Sequence, residues 1–393
     1  MNNCRNQANK IFKNQGLPNT KHEDWKHTSL SKFNNLKSYN NIGEKFNDID
    51  LSANKNVINI INGIFDEPSS SFPNQFINVF TSSSVASKDL PDKFMAIAEF
   101  EKNPLIAYNT SMFEDAVIIN VKENAIIDEL ITINRINYKT SDDVLVQPRI
   151  FINCSENSSV KLLVHSFDRD AKGKINAVTE IKSAPESNIN LGILNENSDT
   201  CNVVDSYSTY QMDNSTINLF TLTIGGELHR SNIDFNIKGS GCNNKIGMLM
   251  LGKKNNHIDC HFDINHYKNM SNNELVCRSV VNDSAHVIFN GKIIVSENAV
   301  GTDSTLYNKN LLLSDTALVN SNPQLEINCD EVKCAHGSTS GYIDNDSLFY
   351  LQSRGISKQQ AKKILIKGFL SEVVDLYNPI DNVMANDLID GWM

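Results

Sequence analysis

The chain of 393 residues carries a formal net charge of −10, which argues against a nucleic-acid partner because phosphate binding draws on a basic face and none is evident. With 40% hydrophobic and 21% charged residues, it reads as globular, long enough for two or three structural regions around a substantial core. The opening Met-Asn-Asn-Cys-Arg lacks the apolar stretch of a secretory signal, and no run of about 18 apolar residues suits a membrane span, so the cytoplasm is the expected compartment. Eight cysteines at irregular spacing (4, 154, 201, 242, 260, 277, 329 and 334) form no disulfide framework and are expected as free thiols in a reducing compartment.

The first region, residues 1–114, is mixed and helical. A short amphipathic helix carries Ala8, Ile11 and Phe12 and ends at Gly16-Leu-Pro18. Thr20 with Glu23 has the capping-box pattern and predicts a helical turn containing Trp25. Apolar runs such as Val57-Ile-Asn-Ile-Ile61 then alternate with Ser-rich loops such as Ser69-Ser-Ser-Phe-Pro73.

Residues 115–341 change to short strands, among them Ala116–Val121, Val160–Val164, Ser215–Phe220 and His286–Phe289. Strands of four to seven residues between Asn, Gly, Ser and Asp turns, sustained over this length, suit a sandwich, a propeller or a β-helix. No repeated Trp-Asp or kelch wording marks a propeller, and a solenoid tolerates imperfect repeats because each coil needs only its neighbours. Two patterns inside the region imitate other chemistry. Gly247-Met-Leu-Met-Leu-Gly-Lys-Lys254 approaches a phosphate-binding loop, but Lys254 replaces the magnesium-holding hydroxyl and the bulky residues between the glycines predict a strand. His257, Asp259, His261 and Asp263 share one strand face with Cys260 opposite, and we read them as a polar ladder on an outer face, not a hydrolytic metal site.

After Gly341 the period becomes helical over residues 342–393. Asp346 and Ser347 precede a short helix through Leu351 that ends at Gly355, and Ser357 with Gln360 caps the next. There Ala361, Ile364, Leu365, Gly368, Phe369 and Val373 form an apolar stripe, expected by default to cover the protein's own core.

The segment Pro323-Gln-Leu-Glu-Ile-Asn-Cys329-Asp-Glu-Val-Lys-Cys334-Ala-His336-Gly-Ser-Thr-Ser-Gly341 packs two thiols, a histidine and carboxylates together. In an extended chain Asp330, Val332, Cys334 and His336 lie on one face, so Cys334 and His336 can reach one ion together. Thiolate and imidazole suit iron, zinc and iron-sulfur clusters, whereas carboxylates alone suit harder ions. The competing reading makes this face the interior of a β-layer, with the thiol acting as a small hydrophobe.

These words carry a resemblance. Leu311-Leu-Leu-Ser-Asp-Thr-Ala317, Pro323-Gln-Leu-Glu-Ile327, Val332-Lys-Cys-Ala-His-Gly-Ser-Thr-Ser-Gly341 and Leu348-Phe-Tyr-Leu-Gln-Ser-Arg-Gly-Ile356 resemble the C-terminal signature of the SufB/SufD family. His257–His266 and Val287–Val295 resemble the same family, and Lys21-His-Glu-Asp-Trp-Lys-His-Thr-Ser-Leu30, the length and His336-Gly337 resemble its SufD branch. Asn328-Cys329 and Ser338 depart from the usual wording. The resemblance implies a mainly β fold, with a right-handed parallel β-helix between the two flanking regions. It also implies a non-catalytic scaffold of the SUF iron-sulfur assembly machinery that pairs with SufB and with the ATPase SufC, or with itself when isolated. It places His336 at the SufB interface as a ligand to iron or a transient cluster, with Cys334 as a weaker auxiliary, and it admits a reduced flavin in the complex. It places SufC docking on the C-terminal helices, where Phe349, Arg354, Ile364 and Phe369 are the candidates. The alternatives are a β-helix carbohydrate-active enzyme, which needs a cleft with paired carboxylates, and a SufB-like or homodimeric paralogue.

Overall fold

The structure, a computed structural model, describes residues 1–39, 55–380 and 382–393. From Arg149 onward, successive strands pass alternately into two sheets, and each pairs in parallel with the strand two places along. His257 pairs with His286 and Asn243 with Asn272, a step of 29 residues. The result is a two-sheet β-solenoid of about eight coils. We call the sheet that ends on strand Leu318–Ile327 sheet A, and the one that ends on strand Lys333–Tyr342 sheet B. The strands are mostly ten residues long, longer than sequence predicts, because Asn, Ser and Gly residues that read as breaks continue inside them, as Asn190 and Gly192 do in Asn188–Asn197.

Alternation sets the interior. In strand His257–His266, Ile258, Cys260, Phe262 and Ile264 belong to the central apolar core while His257, Asp259, His261 and Asp263 point the other way. The asparagine surplus has a structural use at the coil corners. Asn124, Asn157 and Asn214 take positive φ of 57°, 61° and 54°, a conformation that asparagine tolerates better than most residues. Asn157 Nδ2 donates to Asn124 Oδ1 of the preceding coil at 3.1 Å.

Parts of the first region extend both sheets. Val57–Ile61 pairs in parallel with the middle of Ile126–Tyr138, and Ile77–Thr81 pairs antiparallel with Ala116–Val121. Helices α1 (Asn2–Gln15) and α2 (Pro104–Met112) pack together through stacked Phe12 and Tyr108 rings, 4.0 Å apart. Glu180 of sheet A pins the chain beside them: its carboxylate accepts from the backbone N–H of Met95, Ile97 and Ala98 and from Arg149 Nη2 at 2.7 Å. The capping box expected at Thr20 does not form. Asn19 Oδ1 accepts the Lys21 N–H instead, and Glu23–Trp25 is a single 3-10 turn with no side-chain cap. Trp25 is buried, with Arg230 4.3 Å over its ring.

Three helices close the chain: α3 (Asn345–Ser353), α4 (Lys358–Tyr377) and α5 (Asn382–Trp392). The cap of α3 is Asp344, which accepts the Ser347 N–H at 2.8 Å, so the helix starts earlier than Asp346 and Ser347 suggested. Ser357 caps α4 as expected. Helix α4 lies on the outer face of sheet B, and Leu222, Leu249, Leu251 and Val280 form one core with Ile366, Leu370, Val373 and Val374. The buried stripe is therefore rotated from the expected one: Ile364 is 41% exposed. Full burial of each such aliphatic contributes roughly 1.5–3 kcal/mol. The near-phosphate loop is strand Asn243–Gly252, and Gly247 is bare because α4 sits on it. A Cβ there would meet Tyr377 Cβ at 2.5 Å.

Candidate functional site at the open end of the solenoid

The last coil has no successor. Among the described residues strand Leu318–Ile327 pairs only with His286–Val295, and Lys333–Tyr342 only with Asp303–Leu312. Each presents a row of unpaired backbone groups, a surface that proteins usually blunt or cover. Cys334 lies in register with Ser304, and His336 with Leu306, both of them fully buried lumen residues. Cys334 and His336 therefore continue two interior rows to a point where no further coil covers them. The shared face predicted by period two is present, but Asp330 falls outside the strand, and Val332 and Cys329 pack against the core.

The two candidate donors differ. His336 is exposed, and its ring makes no hydrogen bond among the described residues. Cys334 is half-buried; burial pushes its thiol up, against a lowering contact from the Ser304 backbone, so it is a poor thiolate source. Among the described residues no three His, Cys, Asp or Glu side chains converge on a metal position. His336 thus offers one donor, and a complete ligand set needs groups from elsewhere. Further along the same strands lies a belt that sequence reasoning missed: Ser321 Oγ and Asn310 Nδ2 both donate to Asn308 Oδ1, at 2.8 and 2.7 Å, and Ser338 meets Ser321 at 2.8 Å. Only the coil register brings these residues together.

The C-terminal candidates divide in two. Phe349 is 71% exposed, Arg354 is exposed with its guanidinium 5.3 Å from the Tyr350 ring centre, and Ile364 is exposed. Phe369 is half-buried in the seam between α4 and sheet B.

Two family models match the chain. Residues 136–369 match the SufBD core domain of SUF system FeS cluster assembly. The chain belongs to the SufBD family. Residues 1–133 match the SufBD N-terminal region. The SufD iron-sulfur cluster assembly protein of Escherichia coli K12 is 37% identical over 39% of this chain and 36% of that protein. SufD of Bacillus subtilis is 32% identical over 38% of this chain and 34% of that protein. A SufBD family protein of Synechocystis is 24% identical over 91% of this chain and 83% of that protein. The aligned stretch thus covers only about a third of either SufD protein's own length. Among the described residues no helix is long and apolar enough to cross a membrane.

The ladder at His257–His266 is on an outer face, as expected, but the N-terminal segment covers part of it. Thr28 Oγ1 donates to Asp259 Oδ2 at 2.5 Å. Burial opposes ionisation of Asp259, yet the Arg230 guanidinium holds its carboxyl well below the usual range. Beside the ladder a polar cleft of about 450 Å³ has Asp234 and Asp263 in register on its floor. Paired carboxylates in a cleft are what a carbohydrate-active enzyme needs, a feature the sequence did not make apparent. The family model over the same strands is that of SUF system FeS cluster assembly.

These buried groups give a pH expectation. Burial pushes His229, His257 and His266 each down to about 4, while the unfolded chain takes up these protons near 6.5. Between those values the unfolded state binds more protons, so stability rises with pH. Asp234 acts oppositely: burial, aided by Asp263, raises its carboxyl to about 6, so its contribution falls as pH rises through about 4 to 6. Asp263, also raised by burial, acts in the same sense as Asp234, and the three histidines outweigh the two carboxyls. The urea midpoint is expected to drop from pH 7 to pH 5, and His266→Asn to flatten that drop; a midpoint constant over the range contradicts the reading.

Proposed function

We propose that the chain is a SufD-like scaffold subunit that pairs with SufB through the open end of its solenoid and presents His336 to iron or a nascent cluster at that joint. The observation that supports this most is an exposed imidazole, free of partners among the described residues, on an edge strand with one side unpaired among those residues. Neutral imidazole is a common ligand for iron and zinc, and exposed strand edges are natural sites for pairing with another chain. The cluster is cargo, and the missing ligands come from SufB. Cys334 serves as an auxiliary, limited by its raised thiol. SufC docks on the C-terminal helices through Phe349, Arg354 and Ile364 with Phe369 behind them, and ATP hydrolysis belongs to it, so this chain catalyses nothing alone. The setting is cytoplasmic.

Co-expression with SufB and SufC, followed by native mass measurement, tests the pairing. A complex containing all three chains is expected, with a homodimer when this chain is purified alone. Recovery of the chain only by itself, in the presence of both partners, would contradict the proposal.

A further inference from the structure

The apolar seat of α4 is interrupted by one cation. Along the outer face of sheet B, the in-register row under the helix reads Leu194, Leu222, Leu249 and then Arg278. Arg278 is 3% exposed. Its Nη2 donates to Glu372 of α4, and its guanidinium carbon lies 5.2 Å from the Phe369 ring centre. Its Nε and Nη1 are buried with no hydrogen-bond partner among the described residues. The counter-ion is itself half in solvent, since Glu372 is 51% exposed. The next residue in the row is exposed Lys309, a second cation directly alongside.

A buried guanidinium with one half-solvated partner and two unmet donors is an under-satisfied contact. A fourth leucine would have completed the seat. Like charges side by side on neighbouring strands weaken it further. A second polar tie between α4 and sheet B, Tyr377 OH donating to Glu274 Oε1 at 2.8 Å, lies five residues further along, at the C-terminal end of the helix. The contact at Arg278 is therefore a weak point in the seat of α4 on the solenoid.

We propose that Arg278 is a releasable latch through which movement of α4 is passed to the edge strand that bears His336. The connection is short: Arg278 is in register with Lys309, and Lys309 with Thr339 of strand Lys333–Tyr342. Parallel neighbours are tied by evenly spaced hydrogen bonds, and small sliding of packed helices is a common switching motion. The proposal rests on the docking of an ATPase at α3 and α4 given above, and adds how that docking regulates the open end.

Amide exchange on the isolated chain, with residues 358–377 as the readout, tests the latch without any partner. Arg278→Leu continues the leucine row and is expected to slow exchange in α4 by about tenfold or more, with the solenoid strands unchanged. Glu372→Gln is expected to speed it. In the complex with SufB and SufC, R278L is expected to assemble normally and to lower cluster formation severalfold. Unchanged or faster α4 exchange in R278L overturns the latch, and slowed exchange with full cluster formation overturns its regulatory role. Failure of the wild-type chain to assemble would sink the docking reading and that regulatory role with it, while the exchange data still decide whether the contact is a latch.

Discussion

Replacing His336 with alanine is expected to leave the fold and the assembled complex intact and to lower cluster formation by about tenfold or more, the scale seen when groups supporting a metal site are removed. The ring is exposed and has no hydrogen-bond partner among the described residues, so its loss should change stability by less than about 0.5 kcal/mol, as at ordinary surface positions. Cys334→Ala should have a smaller effect on cluster formation, because burial raises its thiol and a thiol binds metal as its thiolate. Cluster yield from co-expressed complexes, normalised to the amount of complex, separates the two. Equal losses from both substitutions would remove the ranking assigned here, a larger loss from Cys334→Ala would reverse it, and full yield from His336→Ala would remove His336 from the site.

Glu180→Ala is expected to destabilise the chain by about 3–5 kcal/mol, the usual consequence of leaving one member of a buried ion pair alone. Arg149 and Glu180 are both fully buried. The carboxylate also holds the N–H groups of Met95, Ile97 and Ala98, so the substitution orphans three further donors that water does not reach. Removing the charge from both partners, with Arg149→Met and Glu180→Gln together, should recover part of the loss, since the amide still accepts from the backbone and no unpaired cation remains. Urea unfolding of the single and double variants measures both. A loss below about 1 kcal/mol for Glu180→Ala would mean that the pin contributes little, against the expectation for buried pairs.

How much of this was legible in the sequence depends on the range of the interaction. Strand Ala116–Val121 was read at its observed bounds, and the cores of Ser159–Arg169 and His286–Val295 were found, because alternation is local. The two-sheet arrangement was not legible from alternation. It depends on a register spanning about 29 residues, while corners with the same left-handed backbone are filled by residues as different as Asn157, Glu186 and Met270, so no repeated wording survives. The resemblance supplied the β-helix where composition left three architectures open. On α4 the period was visible but its phase was not: two overlapping stripes are apolar, and the glycine seats in sheet B choose between them by admitting Tyr377 over Gly247 and Ile380 over Gly192.

The same division holds at the site. That Cys334 and His336 share a face follows from period two and was read correctly. That this face ends a lumen, on a strand with one neighbour among the described residues, is a property of the whole solenoid and has no local signature. Arg278 was missed for a related reason. In sequence it is one charged residue in a strand; its meaning comes from the leucines stacked above it, each a coil away.

Pulsed EPR of the reduced complex, with this chain alone labelled with 15N-histidine, asks whether an imidazole of this subunit binds the metal. The account predicts a 15N coupling to the cluster or iron that disappears in His336→Ala. A cluster assembled to full occupancy with no 15N coupling, or with a coupling that survives the substitution, would contradict it.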